Sequence, residues 1–255
     1  GGAPVELHLG GRVDDLPGLA GDTRCALRRH ERTRDVLANL TTIAQCVLLR
    51  DLLVKGRRLL VANTHLFYNP NANHIRLLQV YMLMSWLESH RKAEEEKGGG
   101  PVAIVLIGDL NARKGNFGPT DKHRPPQAAY RLFHDGAIHA DDVDWEHSSW
   151  CPDEWRDKGP SHSVCICCQD RGVVDGYGVC PLCDGLGVDE ALNPEALNPE
   201  APGCDRLLRL DLRLPMPLVD PNGRVEVTNF TSSFQECIDY TLLDSRALRA
   251  TCQMT

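Results

Sequence analysis

The chain lacks the features that would commit it to a membrane, to secretion or to a broad grip on nucleic acid. No apolar run approaches the roughly 20 residues that a bilayer span needs, so no membrane partner is expected. The opening Gly1-Gly2-Ala3-Pro4 has no Met, no basic segment and no apolar stretch, and no signal peptide is read there. The missing Met leads to the expectation that the chain begins inside a longer product. Excess positive charge is also absent. The formal net charge is −7, which argues against a nonspecific DNA coater, because such proteins neutralise phosphates with a basic face. Any basic face must be local, with Arg57-Arg58, Arg113, Lys114, Lys122 and Arg124 as candidates. The eleven cysteines are an odd number. Without a secretion signal they favour thiols and metal over a disulfide framework. The reading is an intracellular protein, cytoplasmic first, with mitochondrial and nuclear sites as alternatives.

What is present is ordinary for one α/β domain. The 255 residues are 42% hydrophobic and 25% charged, enough for a sizeable core. Residues 1–35 are rich in Gly, Arg and Asp with weak periodicity and read as loop and edge structure. Ile43–Val54 reads as a strand, Lys55-Gly56-Arg57 as a tight turn, and Leu59–Phe67 as the returning strand of an antiparallel hairpin. From Asn73 to about Lys97, Ile75, Leu78, Met82 and Trp86 recur at helical spacing, with Asn73 placed to cap the start and Gly98-Gly99-Gly100 to end it. Pro101–Ile107 is a continuous apolar run of strand length, suited to a central strand buried on both faces. Gln127–His134 reads as a short helix stopped by Gly136, and Glu236–Leu243 as a further strand.

At the mouth of the Pro101–Ile107 strand stands Gly108-Asp109-Leu110-Asn111. A phosphodiester is cleaved by in-line attack of water on phosphorus. The site must activate water, neutralise the phosphoryl oxygens and help the leaving oxygen depart. A carboxylate and a carboxamide two residues apart can both reach one cleft. Asp109 can accept a proton or orient the water, and Asn111 can donate to a phosphoryl oxygen without adding charge. Gly108 lets the backbone turn sharply beside them. The plain alternative is a strand-ending turn, in which Asp and Asn are common. Asn63-Thr64-His65 ends the preceding strand and puts an imidazole at a strand mouth, beside Phe67, Tyr68 and Pro70, which can stack on bases or serve core and turn. Asp239, inside the apolar FQECIDY segment, is expected to have a partner, a catalytic His, a metal or a structural Arg, because an unpaired carboxylate there costs several kcal/mol.

In order, NTHLFYNPNANHIRLLQV, VLIGDLNARKGN, AYRLFHDGAIHADDVDW and TNFTSSFQECIDYTLLD resemble the endonuclease/exonuclease/phosphatase superfamily. Within it the likeness is to the deadenylase branch: poly(A)-shortening nucleases, nocturnin, the angel proteins and the mitochondrial 2′,5′-phosphodiesterase. The resemblance implies a four-layer α/β sandwich, two central mixed sheets flanked by helices, and Mg²⁺- or Mn²⁺-dependent hydrolysis at the edge where the sheets meet. It implies that Asp109 is the water-activating or metal-linked acid, Asn111 the phosphate-orienting amide and His65 a contact of the scissile phosphate. Asp239 then orients the catalytic His or water near the metal, and Asp109 and Asp239 are the metal-side carboxylates. Pro70 and Phe234 match positions that hold adenine, with Asn63 and Arg113 as further substrate contacts, and the implied partner is RNA, poly(A) or oligoadenylate. Two family segments have no counterpart: an early Gln-Glu whose Glu is the main Mg²⁺ ligand, and a late Ser-Asp-His. Their absence implies a fragment that binds Mg²⁺ weakly and has little or no activity. The alternatives are a non-catalytic RNA- or protein-binding member, and a DNA-repair endonuclease or phosphatase.

Composition changes after about Trp145. The domain reading is 1–145 and 206–255 as two parts of one domain, with residues 146–205 inserted. Cys165-x-x-Cys168 and Cys180-x-x-Cys183 have the spacing of two knuckles around one tetrahedral Zn²⁺, and Cys183-Asp184-Gly185-Leu186-Gly187 resembles the knuckle of DnaJ-type zinc domains. Four thiolates leave no open position, so this zinc would be structural, and the insertion would stabilise or dock a protein partner. The alternative is a cysteine-rich disordered insert beside the low-complexity repeat at 191–200.

Overall fold

The computed structural model describes residues 3–16, 18–115, 126–149, 207–221, 228–230 and 235–249, and the short stretches 173–174 and 178–179. Its centre is a five-stranded mixed sheet in the order β1-β2-β3-β4-β11. The strands are β1 (Val5–His8), β2 (Ile43–Arg50), β3 (Arg58–His65), β4 (Val102–Asp109) and β11 (Asp239–Leu243). The β2–β3 hairpin is antiparallel as expected, whereas β3 and β4 run parallel. A parallel neighbour needs a long crossover, which α3 (Asn73–Glu96) supplies.

Side-chain alternation makes the two faces of the sheet unlike. On β3, Arg58, Leu60, Ala62 and Thr64 are buried, while Leu59, Val61, Asn63 and His65 are half-buried or exposed. Leu60 and Ala62 join Ala44, Ile104, Leu106 and Leu242 in one core with Ile75, Leu78, Met82 and Leu87 of α3. Fully burying each such aliphatic contributes roughly 1.5–3 kcal/mol. The helix α4 (Ala128–Asp135) packs on α3 and ends at Gly136, which takes the left-handed conformation and donates its N–H to Leu132. A 3₁₀ segment, Val143–Ser149, covers the start of α3. Two-stranded ribbons complete the described residues: β5 (Ala137–Ile138) with β8 (Leu212–Arg213), β6 (Val173–Val174) with β7 (Gly178–Val179), and β9 (Asn229–Phe230) with β10 (Gln235–Glu236). The mixed α/β class expected from sequence, a central mixed sheet with helices, is present.

Two local expectations are corrected. Residues 1–35 hold β1, the helix α1 (Gly21–Arg29) and the start of the helix α2 (Glu31–Ala38), rather than loop and edge alone. Their stability comes from tertiary contacts: the Arg24 guanidinium donates to the carbonyls of Val13, Asp14 and Leu16, and Leu27, Val36 and Leu37 are fully buried. Asn73 does not cap α3, since the N-cap is Ala72 without a side-chain hydrogen bond. The Asn73 amide donates instead to Asp144 Oδ1 at 2.8 Å.

Candidate active site

Parallel pairing of β3 with β4 sets His65 beside Asp109, and antiparallel pairing of β4 with β11 sets Asp239 on Asp109's other side. Three residues named from different sequence segments therefore form one row across three adjacent strands. His65 Nε2 lies 3.6 Å from Asp109 Oδ2, with the imidazole largely exposed and the carboxylate mostly covered. Burial pushes the Asp109 carboxyl above its ordinary range. The hydrogen bond from the Asn111 N–H opposes that, the Asp239 charge adds to it, and His65 and Arg76 pull the other way. Asp239 is exposed. The argument that burial forces it to have a partner is corrected: it is the first residue of its strand and opens to solvent.

The turn after β4 is tied on both sides. Asn111 adopts φ 47, its N–H donates to Asp109 Oδ1 at 2.8 Å, and its Nδ2 donates to the Leu66 carbonyl at 2.9 Å. Leu66 N donates to the Asp109 carbonyl at 2.9 Å, and Leu110 N to the Ile238 carbonyl at 2.8 Å. The buried Tyr240 hydroxyl lies 2.7 Å from the carbonyls of both Ala112 and Cys237. Asn111 thus uses its backbone and part of its amide to fix the turn.

Sequence reasoning missed the layer beneath. Arg76 is 1% exposed. Its guanidinium donates to the carbonyls of Phe67 (2.9 Å), Asn69 (2.5 Å) and Pro70 (3.5 Å), and to Asn73 Oδ1. Gln79 accepts from Phe67 N at 3.0 Å and donates to the Leu9 carbonyl. Asp144 accepts from Asn73 and from Ala128 N, and Gln127 Nε2 reaches Asn73 Oδ1 at 3.0 Å. Burial pulls the Arg76 pKa down to about 10. The available signal was an Arg inside the apolar run Ile75-Arg76-Leu77-Leu78, since a charge in a buried helix face needs acceptors.

Of the substrate candidates, Asn63 and Pro70 are exposed, and Arg113 is half-buried with its N–H on Gln127 Oε1. Asn63 and His65 line a groove of about 590 Å³ together with Asn39, Gln45, Phe67 and Tyr68. Phe234 and the cysteines Cys165, Cys168, Cys180 and Cys183 lie outside the described residues. Among the described residues no three His, Cys, Asp or Glu side chains are grouped to hold a metal. The row supplies two carboxylates and an imidazole. Mg²⁺ is commonly held by one or two carboxylates with water and substrate completing its shell, so the donor chemistry of Asp109 and Asp239 suits a hard cation. Among the described residues no helix is long and apolar enough to cross a membrane.

No family model matches the chain. Over 56 residues it is 41% identical to Protein angel homolog 2 from Homo sapiens, a segment that is 22% of this chain and 10% of that protein. Among solved structures it is similar to that of ANGEL2, a 2′,3′-cyclic phosphatase, with a TM-score of 0.48 and 16% identity over 96% of this chain and 55% of the other. It is also similar to the human Nocturnin catalytic domain with bound sulfate, with a TM-score of 0.33 and 16% identity over 54% of this chain and 37% of that one. The chain spans a tenth of the curated relative and about half of the ANGEL2 structure.

Proposed function

We propose that this chain carries part of a phosphoester-hydrolysing site of the endonuclease/exonuclease/phosphatase type that acts on RNA ends, with adenylate as the preferred terminus. The observation that supports it most is the His65–Asp109–Asp239 row, which gathers residues named separately from sequence onto one strand mouth. The 56-residue likeness to Protein angel homolog 2 agrees with that reading.

In the proposed reaction a water oxygen forms a bond to phosphorus, the bond from phosphorus to the ester oxygen breaks, and the departing oxygen takes up a proton. Asp109 orients the water or accepts its proton, and burial, which raises its basicity, favours that role. His65, reaching from the exposed side, contacts a phosphoryl oxygen. Asn111 holds the turn, with the rest of its amide directed to the phosphate. Mg²⁺ or Mn²⁺, held by Asp109 and Asp239, would supply positive charge against the phosphoryl oxygens. Asn63, Pro70, Arg113 and Phe234 are assigned to the nucleotide, and Cys165, Cys168, Cys180 and Cys183 to a structural zinc in the 146–205 insertion.

The test is single-turnover hydrolysis, with protein in excess over 5′-labelled RNA ending in oligoadenylate, with Mg²⁺ or with chelator. Shortening from the 3′ end that needs Mg²⁺ and is lost in Asp109→Asn is expected. RNA that binds but stays intact would replace this reading with the non-catalytic one, and incision of abasic DNA in its place would favour the repair-type reading.

A further inference from the structure

At the far end of the sheet from the candidate site, the β2–β3 hairpin closes through residues 51–57. Two neighbouring leucines at its tip, Leu52 and Leu53, are each 96% exposed. Val54 and Leu49 beside them are 49% and 41% exposed. Single exposed leucines are commonplace, but adjacent apolar residues projecting fully into solvent need a reason.

The loop presents them on a fixed frame. Asp51 Oδ1 accepts the N–H groups of Leu53 at 2.8 Å and Val54 at 3.1 Å. Asp51 N donates to the Arg57 carbonyl and Arg57 N to the Val54 carbonyl, and the Arg57 guanidinium lies 3.7 Å from Asp51 Oδ2. This Asx-type turn fixes the loop backbone and leaves the two leucines fully exposed at its tip.

The charge carried by the loop itself runs against that of the chain. The chain is formally −7, yet residues 50–58 contain Arg50, Lys55, Arg57 and Arg58 against the single acid Asp51. Arg58 turns inward, to the carbonyls of Glu94 and Gly100, while Arg50, Lys55 and Arg57 are exposed. Adjacent leucines flanked along the loop by exposed Arg50, Lys55 and Arg57, with Asp51 paired to Arg57, match a surface with anionic groups outside and hydrocarbon beneath. RNA fits the tip less well, since residues 50–58 offer no aromatic face for a base.

We propose that the Leu52-Leu53 tip is a membrane-surface contact, in which the leucines enter the headgroup–acyl boundary of an anionic bilayer and Arg50, Lys55 and Arg57 meet lipid phosphates. The expectation of no membrane partner rested on the length of apolar runs, a criterion that a two-residue tip escapes. Apolar insertion adds to electrostatic attraction in such contacts, and each basic side chain near an anionic surface strengthens binding about fivefold. The contact stands apart from the hydrolytic row and does not depend on it.

Co-sedimentation with phosphatidylserine–phosphatidylcholine vesicles, against phosphatidylcholine alone, tests this on the whole chain. The protein is expected to pellet with the anionic vesicles and to be released by salt. Leu52→Gln/Leu53→Gln should weaken binding about tenfold or more, and Arg50→Gln/Lys55→Gln should remove the preference for anionic lipid. Both pairs are exposed, so the melting temperature should hold. Absence of vesicle binding by the unaltered chain, or binding indifferent to the two leucines, overturns the proposal. So does a sedimentation-velocity result in which the leucine pair governs self-association instead.

Discussion

Asp239 stands directly opposite Asp109 in the register of β11 with β4. Like charges facing each other across an antiparallel pair cost about 0.2–1 kcal/mol, and a half-buried Asp109 has less water to screen them. Asp109→Asn keeps an acceptor for the Asn111 N–H and removes one of the two charges. The variant should melt about 1–3 °C higher without added metal. Mg²⁺ should raise the melting temperature of the unaltered chain by binding the native state only, and the variant should lose that response. Thermal denaturation with and without Mg²⁺ reads both. A lower melting point in the variant, or an unchanged Mg²⁺ response, would count against the carboxylates acting as a cation site.

His74 gives a pH dependence remote from that row. It is fully buried, and among the described residues neither ring nitrogen has a hydrogen-bond partner. Burial first, then the facing His30, His147 and Arg76, depress its pKa well below 6.5. The unfolded chain takes up a proton below about pH 6.5 that the folded chain refuses. Stability should therefore fall as pH drops below that point, by up to ~1.4 kcal/mol per pH unit from this residue. His74→Leu should flatten that part of the profile. Urea midpoints taken between about pH 7 and 5.5 decide it: equal slopes for both proteins would remove His74 as the cause.

Arg76 anchors the loop that follows His65. Arg76→Met keeps much of the stem's packing but strands the loop carbonyls of Phe67 and Asn69, which now accept from the guanidinium. The expected loss is about 2–4 kcal/mol, typical of breaking a buried charged network. Arg76→Lys should recover only part of it, since an ammonium cannot reach acceptors on both sides as the planar fork does. Hydrogen exchange separates anchoring from general damage. Residues 66–72 should lose protection before β3 and β4 do, and uniform loss would refute the anchoring role.

These contacts mark where the sequence was legible. The helix α3 announces itself because its apolar residues recur at helical spacing, β4 because it is a continuous apolar run of strand length, and β2 and β3 because two apolar runs flank a tight turn. The motif at Asp109 was legible because chemistry demands particular side chains at a strand end. The pairing argument for Asp239 failed because it assumed a position inside a strand, whereas the strand starts at that residue. The helices α1 and α2 escaped notice because their support, such as Arg24 on the carbonyls of Val13 and Leu16, comes from residues outside the helices. The Arg76 layer stayed hidden for a related reason: periodicity reports which face is buried, not which polar groups meet there.

Gly108 and Gly136 both adopt positive φ, at 137 and 78, yet their replacement should differ sharply. A Cβ on Gly136 would meet only Pro217 at 3.6 Å, an ordinary contact. Gly136→Ala then carries just the cost of the left-handed conformation, about 1–2 kcal/mol. A Cβ on Gly108 would fall 2.0 Å from the Thr64 carbonyl oxygen. That oxygen belongs to the neighbouring strand, where Thr64 pairs with Gly108, so it cannot swing aside as a flexible side chain would. Relief requires β3 and β4 to separate one residue before His65 and Asp109. Gly108→Ala should therefore cost more than ~3 kcal/mol, the range of severe overpacking, and disrupt the row even in molecules that fold. Urea denaturation of the two variants side by side provides the measurement. Comparable losses would mean that the close approach of Gly108 to Thr64 is not what constrains this strand mouth.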